Sequence, residues 1–308
     1  MNTRLGVLLP TNQNQWTDAR GLVNFGVRAE RLGFDSLWAN DTLLGARIEP
    51  LAMLAALAPA TERVTLGTAA LLPAFRRPVT AAQELAAVDH LSAGRLVVTV
   101  GAGFPGRSEI EYAVSEVPWP RRFERLDETV ALWRALWAGE RAFHGKVLRF
   151  DELPEPTPSF RPGGPPIWLA GATPSALERA GRLYDGWLPY PPDPAAYRAG
   201  LKDVRHAAGA AGRPVEAVTP ALFVTVLIGE AAGERELDAF CRATYGVPYE
   251  TARTIQAMVA GPAEHVAATL AGYVAAGAEH LVCRFAATTL HDQLEQLEQL
   301  AGIACRTP

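Results

Sequence analysis

Short apolar runs alternate with helical patterns along this chain, and that alternation constrains the fold more than any single motif. LGVLLP (5–10) precedes a helical stretch with Leu22, Phe25, Ala29 and Leu32 on one face. FDSLWA (34–39) precedes the helix LAMLAALAPATE, and VTLGTAALL (64–72) precedes a helix opened by RRP and closed by SAGR. Proline suits a first helical turn, because the N–H it lacks has no partner there. LVVTVG (96–101) leads to a helix carrying Phe123, Leu126, Val130, Trp133 and Trp137. PPIWLAG (165–171) leads to SALERAGR, DGWLP (185–189) to a helix over 194–211, and ALFVTVLIG (221–229) to a helical region over 231–276. EHLVCRF (279–285) and a helix over 290–301 complete the set. Parallel strands need crossover helices between them, so strict alternation predicts a parallel sheet. About eight such units predict closure into an α/β, (β/α)8 TIM barrel, whose ligands sit at the C-terminal ends of the strands. A polar stretch (104–120) and a Pro/Gly-rich excursion (139–166) with the hairpin AFHGKVLRF follow strand four, and a second insertion follows strand seven. No fixed-period repeat and no linker divides the chain, which reads as one domain over 1–308.

Composition narrows the partners. Of the 308 residues, 49% are hydrophobic and 20% charged, which supports a large core. A net charge of −4 with no basic run argues against nucleic acid and anionic membrane surfaces. Cys241, Cys283 and Cys305 are odd in number and far apart, and no Cys/His set has metal spacing. A reducing cytoplasm and no structural zinc are expected. The first apolar run is too short for a signal segment or a membrane span. The Ala-rich helices over 51–60 and 81–91 offer a close-packing face, and a homodimer is expected through them.

Small residues follow several strands. GAGFPG (101–106) has the G-x-G-x-x-G spacing, but it lies in the fourth unit and Pro105 interrupts it. A dinucleotide fingerprint opens the first unit and runs into a helix. Gly101 and Gly103 read instead as a loop that lets backbone approach a planar ligand, or as a tight turn without one. Gly171-Ala172-Thr173 ends a strand, with Thr173 as N-cap and Pro174 at the first helical position. The free amides and positive dipole end there suit a phosphate, and plain capping by Thr173 is the other reading. Asp41 follows strand two, where a carboxylate could orient a ligand amide or act as a base, or simply form a turn with Asn40. Thr42 lies beside it, and Trp187 is placed to line the pocket. The six histidines form no pair at metal spacing, and no G-x-S-x-G elbow exists.

The ordered segments AERLGFDSLWANDT, RVTLGTAALLP, RRPVTAAQELAAVDHLSAGRLVVTVGAG, RRFERLDETVALWRALWAGE, PPIWLAGATPSALERAG and YDGWLP resemble the bacterial-luciferase-like flavin oxidoreductases over nearly the whole chain. The resemblance implies a TIM barrel that binds reduced FMN or the 8-hydroxy-5-deazaflavin coenzyme F-420. It implies a non-prolyl cis peptide at Ala69–Ala70, in the segment that follows Thr68, against the flavin ring. It also implies Gly101 and Gly103 as ring neighbours, Gly171, Ala172 and Thr173 on the phosphate, and Trp187 as a wall.

Two positions depart from that family. Thr42 stands where luciferases and many deazaflavin dehydrogenases have a histidine, and Phe104 stands where the sugar-phosphate dehydrogenases have an acid. Chemistry is then carried chiefly by the cofactor, with the protein supplying position and dryness. Leu43, Leu44, Leu72, Phe75, Phe104 and Trp119 suggest an apolar or aromatic small-molecule substrate. The first functional reading is a monooxygenase that takes FMNH2 from a separate flavin reductase and reacts it with oxygen, with Asp41 and Thr42 as orienting residues. The alternative is a deazaflavin-dependent hydride-transfer oxidoreductase, with Arg76, Arg77, Arg107, Arg121 and Arg122 along a groove for the polyglutamate tail. A third is a non-catalytic flavin-binding partner subunit.

Overall fold

The computed structural model describes residues 3–12, 16 and 18–304, and Cys305 lies outside them. Eight parallel strands close a barrel: β1 (Arg4–Leu8), β2 (Ser36–Ala39), β3 (Thr65–Leu71), β4 (Leu96–Val100), β7 (Ile167–Ala170), β8 (Gly186–Leu188), β9 (Thr219–Ile228) and β11 (His280–Phe285). Each pairs with the next, and β11 returns to β1 in the register Arg4↔His280 to Val7↔Cys283. The helices α1 (Arg20–Arg31), α2 (Pro50–Leu57), α3 (Pro78–Leu91), α5 (Arg122–Trp137), α6 (Pro174–Leu183), α7 (Pro194–Ala210), α10 (Ala263–Ala275) and α11 (Leu290–Ala304) connect or follow these strands. The expected fold is therefore present. So are the excursions: α4 (Glu109–Val114) and the antiparallel pair β5 (Phe143–His144) and β6 (Arg149–Phe150) come after β4, and α8 (Glu234–Tyr245) and α9 (Tyr249–Ala252) after β9.

Two boundaries differ from the sequence reading. The helix expected over 51–62 ends at Leu57, because Pro59 supplies no N–H to continue it. The region expected to be helical over 231–276 contains a strand, β10 (Met258–Gly261). It pairs with the C-terminal half of β9, while β8 pairs only at Thr219 and Pro220. β10 thus covers the edge that the short β8 leaves open.

The core has two layers. Inside the barrel, Leu8, Trp38, Val97, Trp168, Leu188, Ala221 and Val282 pack together. Trp38 and Trp168 meet with ring centroids 5.3 Å apart. Gly67 and Gly186 face them, and a Cβ at either position would overlap an indole. The larger layer lies between strands and helices and includes Leu66, Leu85, Trp133, Trp137 and Trp187. A third cluster joins Leu237, Phe240, Cys241, Ala252 and Ala286 under the insertion that follows β9.

Candidate active site

The loops after β2, β3 and β4 form one side of the barrel mouth. Asp41 is 7% exposed and accepts from Arg76 Nη1 at 2.6 Å and from the Leu72 amide at 3.0 Å. Arg76 also pairs with Glu49. Burial pushes the Asp41 carboxyl above its ordinary value, and the Arg76 and Leu72 donors oppose that rise. Burial likewise works against the Arg76 charge, but its bonds to Asp41 and Glu49 outweigh it. Asp41 thus braces the loop after β3 through Arg76 and the Leu72 amide.

Thr42 leads to a residue the sequence did not reveal. Its hydroxyl donates to Glu111 of α4, and the Leu43 amide donates to the same oxygen at 2.7 Å. Glu111 is 2% exposed. Helix α4 is held there by Tyr112, whose hydroxyl donates to the Ala102 carbonyl at 3.0 Å. A carboxyl is therefore present beside Thr42 after all, delivered by an insertion helix.

The floor of the mouth is made of small residues. The Ala69–Ala70 peptide is cis, as the resemblance implied. Ala69 packs on the inner tryptophan layer and remains partly exposed. A Cβ built on Gly101 would lie 3.5 Å from Ala70 Cβ and 4.0 Å from Ala170 Cβ, so these three positions adjoin one another. Gly103 has φ +76°, and its loop is tied by the Phe104 amide donating to Ser108 Oγ at 3.0 Å. Thr68 does not share this surface: its hydroxyl donates to the Thr99 carbonyl at 2.8 Å and it is fully buried. It has the parity of Leu66, which faces the helices.

After β7 the chain turns at Gly171, φ +120°, into α6. Thr173 caps the helix by accepting from the Ala176 amide at 3.3 Å, so the capping reading holds. Ala172, Thr173, Pro174 and Ser175 are all exposed, and the positive end of α6 opens at the mouth. Trp187 corrects the sequence reading. It is 1% exposed and stacks on Tyr197 in the layer between strands and helices, with centroids 5.2 Å apart. Its indole N–H donates to the Gly171 carbonyl at 2.8 Å. In β8 it is Gly186 and Leu188 that face inward, so Trp187 supports the phosphate-loop candidate from behind and is no wall of the mouth.

Two arginine groups complete the mouth. Arg122 and Arg125, at the start of α5, line a small hollow with Gly101, Pro73 and Tyr112. Arg122 stacks on Trp119 at 3.9 Å, and neither arginine pairs with a carboxylate among the described residues. Arg179 of α6 bonds Asp127 and the Phe123 carbonyl, which holds the first turns of α5 beside α6. On the far side, Arg284 points inward from β11 among Phe223, Phe240 and Tyr245. The larger surface hollow lies at the opposite end of the barrel, where Arg134 pairs with Asp185 and Arg161 with Asp89. Of the apolar residues expected at the mouth, Phe104 is exposed and meets the Tyr190 ring at 6.0 Å, while Leu72 is buried. Among the described residues no metal-ligating group of side chains occurs, and no helix is long and apolar enough to cross a membrane.

Comparison with known proteins adds three findings. The family model described as luciferase-like monooxygenase matches residues 3–280. An F420-dependent glucose-6-phosphate dehydrogenase of Intrasporangium calvum is 39% identical over 181 residues, covering 55% of this chain and 53% of that protein. An F420-dependent hydroxymycolic acid dehydrogenase of Mycobacterium tuberculosis is 34% identical over 195 residues, covering 60% and 52%. The chain spans about half the length of the curated relatives it matches. In fold, it superposes on an F420-dependent secondary alcohol dehydrogenase with a TM-score of 0.81 at 20% identity, over 100% of both chains.

Proposed function

Because the chain belongs to the luciferase-like monooxygenase family, we propose that it is an oxidoreductase using the deazaflavin coenzyme F420 to move hydride to or from a small hydroxyl- or carbonyl-bearing substrate. The observation that carries this reading is the pair Arg122 and Arg125, which line a hollow with Gly101 without a carboxylate partner. A cofactor with a long anionic arm needs uncompensated cations there. The small-residue floor of Ala69, Ala70 and Gly101 leaves room for a planar ring, and the exposed N-terminus of α6 suits a phosphate. These residues fit the deazaflavin, which when bound supplies a two-electron hydride carrier.

The protein's own residues have simpler tasks. Gly171, Ala172 and Thr173 orient the phosphate, and Arg122 and Arg125 hold the arm. Glu111 accepts from the Thr42 hydroxyl and the Leu43 amide and so holds the loop after β2 at the place of the missing histidine. Phe104 and Tyr190 keep water from the ring face. The FMN-and-oxygen reading placed first from the sequence has less support, since both relatives described above are F420-dependent.

The test is an equilibrium titration of F420 fluorescence with the wild-type protein and with the double variant Arg122→Gln, Arg125→Gln. Loss of two charge-assisted contacts should weaken binding by about tenfold or more, with an unchanged melting curve. Equal affinity in the two proteins would remove the support for the reading. In the same series Glu111→Gln should retain F420 affinity and lower turnover, and unchanged turnover would exclude Glu111 as the residue that positions Thr42.

A further inference from the structure

Two cations at the mouth are matched by acids, Arg76 by Asp41 and Glu49 and Arg179 by Asp127. Arg284 is not. It shares the inward parity of His280 and Val282 on β11 and is partly buried at the open end of the barrel. Its Nε and Nη2 donate to Thr225 Oγ1, at 3.1 and 2.5 Å, and Nη2 lies 3.5 Å from Gln256 Oε1. Its Cζ lies 5.3, 5.1 and 5.0 Å from the ring centroids of Phe223, Phe240 and Tyr245. Every one of these partners is neutral, and Nη1 has no partner among the described residues. A second cation, Arg107, lies 6.0 Å from the Tyr245 ring centroid, and its Nη1 reaches the Tyr245 carbonyl at 3.4 Å. No acidic side chain among the described residues pairs with Arg107 or Arg284.

A guanidinium withdrawn from water is normally matched by a carboxylate or phosphate. A hydroxyl, an amide and ring faces orient it without neutralising it. We propose that Arg284, assisted by Arg107, forms an anion-recognition subsite for a carboxylate or phosphate carried by the substrate, whose apolar body lies against Phe223 and Tyr245. This adds an anionic group to the apolar or aromatic substrate expected from the sequence, and it rests on the mouth being the active site proposed above. The subsite lies on β11 beside the insertion that follows β9, whereas Arg122 and Arg125 lie with Gly101 at the end of β4. The two positive spots therefore serve two ligands.

Calorimetric titration of the cofactor-free protein tests this, with benzoate and phenyl phosphate as probes and benzamide as the neutral control. At least one anion should bind and benzamide should not. Arg284→Gln should weaken the anion by about tenfold to a hundredfold. Arg284→Lys should recover part of that loss, and the exposed Arg107→Gln should show a smaller one. Equal binding of benzamide and benzoate to the wild-type protein would overturn the proposal, even if Arg284→Gln does not fold. So would unchanged anion binding in a folded Arg284→Gln, or loss of F420 affinity there with anion binding intact, which would give the arginine to the cofactor arm. No step requires bound deazaflavin, so failure to bind F420 would count against the function proposed above and leave this subsite standing.

Discussion

His280 shows how far a single side chain can be decided by its surroundings. It is 1% exposed, lies edge-on to Trp38 and Trp168, and its Nε2 is 2.6 Å from Ser36 Oγ. Nδ1 is buried without a hydrogen-bond partner among the described residues. Burial, aided by Arg4, pushes its pKa down to about 3. The unfolded chain takes up a proton below about pH 6.5, and the folded protein does not until about pH 3. The unfolded state binds more protons throughout that window, so stability falls as pH falls through it. Urea unfolding should show a loss of about 2–3 kcal/mol attributable to this group between pH 7.5 and 4.5. His280→Gln should show a correspondingly flatter profile, and an identical loss in the variant would contradict the assignment. Nothing in HLVCRF announced this role, because a strand buried on both faces has no alternation to separate inward from outward residues. The partners of Asp41 and Thr42 were hidden for another reason: Arg76 lies 35 residues from the one and Glu111 69 residues from the other.

At the scale of elements, the βα units were legible and their contents less so. The end of β4 and the start of α6 lie where the glycines at 101 and 171 suggested. At Gly101 the protein leaves room for a side chain, since a methyl there would meet Ala70 and Ala170 at ordinary contact distance. Gly101→Val should therefore fold with a loss below about 2 kcal/mol in thermal unfolding. It should nevertheless weaken F420 by about tenfold or more, because the added groups rise into the space above Ala69–Ala70. Unchanged affinity would mean that the ring does not lie on this floor. Trp187 was misread because the end of a strand was equated with its inner face, and parity turns that indole outward onto Tyr197. β10 was missed because MVAG is short and flanked by helices, so its pairing with β9 leaves no periodic trace.

At the scale of the whole molecule, eight βα units close one barrel, and its mouth gathers an α6 N-terminus, a small-residue floor and two separate groups of unmatched arginines. The first two could be read from the sequence because each is local. Of the arginines, the sequence offered Arg107 and Arg122 for a cofactor groove but not Arg125 or Arg284, which differ from other arginines only in lacking an acid across space among the described residues. Barrel architecture is shared by proteins of many chemistries, so cofactor choice must be read from those charges. The most direct test is a side-by-side equilibrium titration of the purified protein with F420 and with FMN, each oxidised and reduced. A deazaflavin site binds F420 at least about tenfold more tightly than FMN in either redox state. FMN binding as tight as F420, or tighter, would contradict it.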